Sequence, residues 1–126
     1  MKNLTLTICA ILVLFGCKGS QHEISIDAFK AKMAEDTNAQ LLDVRPTEEY
    51  LAGHIQGAVN LSWEDCHFMD KAQALLDKEK TVLIYCKTGL RSQVLVEELN
   101  NAGYKAYKMA GGYTAWTEAS LPMVKE

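Results

Sequence analysis

Thr81-Val82-Leu83-Ile84-Tyr85-Cys86-Lys87-Thr88-Gly89-Leu90-Arg91-Ser92 decides how this chain folds and where its chemistry lies. The first five residues are uncharged and largely β-branched, the pattern of a strand buried on both faces of a sheet. From Ser92 onward apolar residues return at helical spacing, with Leu95, Leu99 and Ala102 on one face. Cys86 therefore stands at the carboxyl end of a buried strand, in a short loop that opens a helix. Open α/β sheets bind ligands at that place, and a helix N-terminus offers unpaired N–H groups with a partial positive charge. A thiol held there is of the kind that ionises to the thiolate, the nucleophilic form of cysteine. Gly89 lets the loop turn its amides inward, and Arg91 brings a forked donor suited to an oxyanion. Between Glu79 and Glu97 there is no acid, whereas Lys80, Lys87 and Arg91 all fall in that interval. A buried structural cysteine would explain Cys86 alone. With Gly89 and Arg91 beside it, the loop reads as a nucleophile in a pocket for anions.

On either side of this loop, strand and helix patterns alternate. Ser25 is placed to cap a helix whose apolar face is Ile26, Phe29 and Met33. Gln40 to Val44 reads as a buried strand. Pro46, Glu48 and Glu49 suit the start of a short helix that Gly53 ends. Ala58 to Leu61 follows as a second short strand. Ser62 and Asp65 have the spacing of a capping box, ahead of a helical stripe of Phe68, Met69, Ala72, Leu75 and Leu76. In the helix after the loop, Glu97, Glu98, Asn100 and Asn101 are expected to face water. Gly103 stops it, Tyr104 to Met109 forms the last strand, and a short helix runs from Tyr113 to Ala119. The alternation predicts a three-layer α/β domain, with a mostly parallel central sheet flanked by helices and Thr81–Tyr85 in its middle. His22 and His67 have no ligand-like spacing to each other or to the cysteines, so no metal site is expected.

Four segments carry a resemblance. Cys86-Lys87-Thr88-Gly89-Leu90-Arg91 fits the pattern Cys-x-x-Gly-x-Arg, followed by a small polar residue. Leu41-Leu42-Asp43-Val44-Arg45 supplies a core strand with Asp-x-Arg. Gly53-His54-Ile55-Gln56-Gly57-Ala58-Val59-Asn60-Leu61 matches Gly-His-Ile-x-Gly-Ala-x-Asn, and Gly111-Gly112-Tyr113-Thr114-Ala115-Trp116 matches Gly-Gly-x-x-Ala-Trp. In this order and spacing the chain resembles the rhodanese-like sulfurtransferases from about Ile24 to Val124.

The resemblance implies a double displacement. The Cys86 thiolate takes the outer sulfur of a small anionic donor such as thiosulfate, then passes it from a persulfide to a thiol or protein acceptor. Amides of Thr88, Gly89, Leu90 and Arg91 would converge on the persulfide, while Lys87 and Arg91 attract the donor. Asp43, Arg45, His54, Gly111 and Gly112 are implied to be structural residues near the site. Arg45 would tie loops together by ion pairing, His54 would be a hydrogen-bonded scaffold histidine, and the glycines would turn tightly under the loop. Trp63 and Trp116 would be core or pocket-wall aromatics. No metal or organic cofactor is implied, and the domain is expected to act as a monomer. Cys86 and Arg91 have four residues between them, against five in the phosphatase and arsenate-reductase relatives, and the tighter loop suits a single outer sulfur. A tethered module of the same fold that senses oxidants or binds a partner is the alternative. Cys66 is read as a small buried residue, with a resolving or redox-sensing cysteine near the active site as the other reading.

The ends of the chain add a location. Lys2 followed by the apolar Leu4–Phe15 fits a signal segment and falls short of the about 20 residues of a membrane span. Leu14-Phe15-Gly16-Cys17 resembles a bacterial lipobox, in which the cysteine is lipidated and becomes the new N-terminus. The expected organisation is a signal segment at 1–16, a lipidated Cys17 with a polar tether at 17–23, and the domain at 24–124. The domain would then sit in the bacterial cell envelope, bound to a membrane through its acyl chains alone. Cleavage removes Lys2 and no acid, leaving 12 basic against 16 acidic residues, a balance that argues against a nucleic-acid partner.

Overall fold

A computed structural model describes residues 22–125; the expected signal segment, Cys17 and all of the expected tether except His22 and Glu23 lie outside the described residues. The chain runs β1 (Glu23–Ile24), α1 (Ile26–Glu35), β2 (Gln40–Asp43), α2 (Thr47–Ala52), β3 (Val59–Asn60), α3 (Phe68–Leu75), β4 (Thr81–Tyr85), α4 (Leu90–Asn101), β5 (Lys105–Met109) and α5 (Gly112–Glu118). The five strands form one sheet in the order β1-β5-β4-β2-β3, and every pairing is parallel. Parallel neighbours need crossovers, and the helices that supply them cover both faces.

The central strand shows why its sequence is apolar throughout. Side chains alternate across a sheet. Val82 and Ile84 pack on one face with Phe68 of α3 and Leu95, Val96 and Leu99 of α4. Leu83 and Tyr85 pack on the other with Phe29 of α1, Ile55, Met109 and Trp116 of α5. All four β4 residues are fully buried, and each such side chain contributes about 1.5–3 kcal/mol. Ser25 caps α1 as expected, its hydroxyl accepting the Ala28 N–H at 3.0 Å. Beyond α5 the chain returns to the segment after α2, where His54 and Val124 exchange backbone hydrogen bonds of 2.9 and 2.8 Å.

Five expectations change. Strand β1 begins at Glu23, inside the segment read as tether, because Glu23 and Ile24 pair with Lys108 and Met109. Helix α4 begins at Leu90 rather than Ser92, which shortens the loop after Cys86 to Lys87, Thr88 and Gly89. Asn100 does not simply face water: its amide donates to the Val96 and Ala106 carbonyls and its side-chain oxygen accepts the Ala106 N–H, joining α4 to β5. Ser62 and Asp65 do not cap α3. They accept the N–H groups of Glu64 and His67, forming two tight turns before the helix, and Leu75 lies off the buried stripe at 48% exposed.

Candidate active site

The chain leaves β4 at Cys86 and enters α4 four residues later, so the cysteine sits beneath the helix N-terminus. Its Sγ accepts the Gly89 N–H at 3.0 Å and the Ser92 N–H at 3.4 Å, with the Ser92 hydroxyl 3.5 Å away. N–H donors converging on a sulfur stabilise its anionic form. The return of the loop depends on Gly89, whose φ of 105° lies in the left-handed region that other residues avoid. That turn brings the Gly89 N–H onto the sulfur and its carbonyl toward β5, where it accepts from Lys108 Nζ at 2.9 Å and the Ser92 hydroxyl at 3.3 Å.

The Gly111-Gly112 turn supports the loop from below. The Tyr113 and Thr114 N–H groups donate to the carbonyls of Cys86 and Lys87 at 2.8 and 3.0 Å. A Cβ on Gly112 would lie 2.6 and 2.5 Å from those two oxygens, closer than a carbon can approach, so only glycine permits the contact.

Above the sulfur is a cleft of about 420 Å³. Cys86, Lys87, Thr88, Leu90 and Arg91 form one wall, and Arg45, Pro46, Glu49 and Trp63 form the other. The Arg91 guanidinium stacks 3.9 Å from the Trp63 ring centroid, which places Trp63 in the pocket wall and holds the cation at the rim. Glu49 brings a carboxylate into the lining. Charges counted along residues 79–97 do not reveal it, because it arrives on α2 from another part of the chain. Lys87 and Arg91 outnumber this one acid, while Arg45, the third cation of the lining, is paired with Asp43.

Arg45 is anchored behind this wall. Its Nε and Nη2 bond both Asp43 oxygens at 2.6–3.1 Å, and Nη2 also donates to the Gly53 carbonyl at 2.6 Å. Burial pulls the guanidinium pKa down, but the hydrogen bonds and charge of Asp43 outweigh it and leave it above its ordinary value. The same guanidinium lies 3.9 Å from the Tyr113 ring centroid, joining the ion pair to α5. Burial, then the Asp43 charge, raises the Tyr85 pKa far above the usual phenol range, and its neutral hydroxyl accepts the Ile55 N–H at 3.1 Å. His54 is buried, stacks on Tyr50 at 3.7 Å and holds the Tyr50 carbonyl at 2.8 Å from Nδ1, a scaffold position outside the cleft. Among the described residues no cluster of His, Cys, Asp and Glu is placed to hold a metal, and no helix is long and apolar enough to cross a membrane.

Of the four amides expected to converge, Gly89 bonds the sulfur, while Thr88, Leu90 and Arg91 line the cleft. The Ser92 amide joins Gly89 on the sulfur; the small polar residue closing the motif was its only signal. Lys108 left no signal, because a lysine in a strand reads as a solvent-facing residue. Cys66 is exposed and free, not a small buried residue.

The profile of the rhodanese-like domain matches residues 25–119. The chain belongs to the rhodanese-like family. Among relatives of this rhodanese-like domain, Thiosulfate sulfurtransferase 18 of Arabidopsis thaliana is 31% identical over 119 residues, spanning 85% of this chain and 88% of the plant protein. Thiosulfate sulfurtransferase GlpE of Shewanella oneidensis is 33% identical over 91 residues, spanning 71% and 86%. The crystal structure of a rhodanese-related protein from Thermoplasma volcanium superposes with a TM-score of 0.73 at 25% identity, covering 83% of this chain and 99% of that one.

Proposed function

We propose that this rhodanese-like domain is a sulfurtransferase that carries sulfane sulfur on Cys86. One observation carries the reading: a buried sulfur at the base of a cationic cleft, gripped by the Gly89 and Ser92 N–H groups at the mouth of α4. The Cys86 thiolate attacks the outer sulfur of thiosulfate. The donor's S–S bond breaks with its electron pair on sulfite, which leaves, and a Cys86 persulfide forms. An acceptor thiolate then attacks the outer sulfur, becomes a persulfide itself, and returns Cys86 to the thiolate. Lys87 and Arg91 draw the anionic donor to the cleft, and the loop amides take up the persulfide charge as an oxyanion hole does. The relatives named thiosulfate sulfurtransferase support this choice of donor. The short loop supports sulfur over phosphate or arsenate, since only three residues separate Cys86 from helix α4.

Mass spectrometry tests the reading. Treated with thiosulfate, the wild-type Cys86 peptide is expected to gain the mass of one sulfur atom and lose it on addition of cyanide. Assayed in parallel, phosphate monoesters and arsenate should turn over negligibly. Faster turnover of either than of thiosulfate would reverse the assignment.

The domain's place of work is the cell envelope, tethered through acyl chains on Cys17. The Leu4–Phe15 segment and the Gly16-Cys17 junction support this. Cys17→Ser is expected to abolish fatty-acid labelling and release the protein from the membrane fraction, with sulfur transfer unchanged. Wild-type protein found unlabelled, in the cytoplasm and still carrying Met1 would refute the tether without touching the chemistry.

A further inference from the structure

Lys108 occupies a costly position. It is 6% exposed, the one buried lysine among the described residues, and no carboxylate among them lies within ion-pair distance of it. Buried charges ordinarily have a partner of opposite sign, as Arg45 has in Asp43. Lys108 follows Ala106 on the face of β5 that packs against α4, and its Nζ meets the carbonyl of Gly89 at the start of that helix. A helix N-terminus carries about half a positive charge, so the lysine is set against a second positive end. Two such groups share a buried place when an anion lies between or beside them. The Cys86 sulfur is that anion in both its thiolate and persulfide forms. The hydrogen bonds of Gly89 to Sγ (3.0 Å) and to Nζ (2.9 Å), joined by three covalent bonds, hold the two atoms within about 10 Å.

The contact also sets a peptide plane. The Gly89 carbonyl and the Leu90 N–H belong to one planar trans unit and point in opposite directions. Fixing the carbonyl on Lys108 therefore turns the Leu90 N–H away from β5. Leu90 lines the cleft, and as the first residue of α4 its N–H has no acceptor within the helix.

We propose that Lys108 is a positioning residue for sulfur transfer. From behind the loop it locks the Gly89–Leu90 peptide so that the Leu90 N–H serves the outer sulfur of the persulfide, and it supplies the buried counter-charge to that sulfur. The inference rests on the sulfurtransferase reading above.

Kinetics on the full mature protein test it, with thiosulfate as donor and cyanide as acceptor. Lys108→Met is expected to lower kcat about tenfold with little change in KM, because the amide it aims works on the reacting sulfur. The loss should persist at high salt, since a buried charge is poorly screened. Lys87→Ala should instead raise KM, and its loss should shrink with salt, because exposed charges are screened over about 10 Å at 0.1 M. Lys108→Gln retains a donor without the charge and should fall between Met and wild type, and it stands in if the Met variant does not fold. A merely structural lysine would shift the melting temperature and leave kcat alone. Wild-type kcat in either folded Lys108 variant overturns the inference. Wild-type protein that gains no sulfur from thiosulfate overturns the underlying reading instead, so the two failures are told apart.

Discussion

Cys86→Ser should abolish sulfur transfer and leave the fold unchanged. Serine has nearly the shape of cysteine, and its hydroxyl can accept the Gly89 and Ser92 N–H groups that the sulfur accepts now. What it lacks is a polarisable nucleophile able to form a persulfide. Loss of a covalent nucleophile costs ~10⁴-fold or more in kcat, so activity should fall to background. The variant should gain no sulfur from thiosulfate, while its melting temperature stays near that of the wild type. Activity surviving in this variant would remove Cys86 from the mechanism.

Arg45→Met should be the most damaging substitution for stability. It leaves the carboxylate of Asp43, fully buried, without the guanidinium that holds both its oxygens, and it strips the Gly53 carbonyl of a donor. Breaking one half of a buried ion pair costs about 3–5 kcal/mol, which for a domain of this size lowers Tm by more than about 10 °C. Asp43→Asn in the same chain should recover part of the loss, because most of it comes from the orphaned charge. A single variant melting within about 3 °C of the wild type would show that the pair contributes little.

The parts of the domain that repeat a pattern could be read from the chain. The apolar run Thr81–Tyr85 marks the middle of the sheet because burial on both faces leaves no polar position. Ser25, Gly53 and Gly103 punctuate helices by local backbone chemistry. Strand β1 escaped because two residues show no periodicity and exist as a strand only through their pairing with β5. Ser62 and Asp65 misled because the same side chains that cap helices also close tight turns, and spacing does not separate the two. In the site, Cys86, Gly89 and Gly112 stood out because each has a local role in one loop or turn. Trp63 could be read only as a core or pocket-wall aromatic, and its stacking on Arg91 decides for the wall, whereas Glu49 and Lys108 gave no sign, since they reach the loop from α2 and from β5. Which side chains meet across the end of a parallel sheet depends on strand order, and nothing short in the sequence records that order.

Cys86 is only 2% exposed although it faces a cleft. A sulfur at that depth is reached end-on, by something narrow. Thiosulfate and cyanide are slim enough, but a cysteine lying flush on a folded protein would be stopped at the rim by Trp63 and Arg91. On the proposed mechanism a macromolecular acceptor would meet the outer persulfide sulfur inside the cleft, and it would bring its thiol there on a projecting tip, such as a flexible terminus or a protruding hairpin. Depth would then act as a calliper, sorting recipients by the girth of what they extend rather than by the affinity of their sulfur.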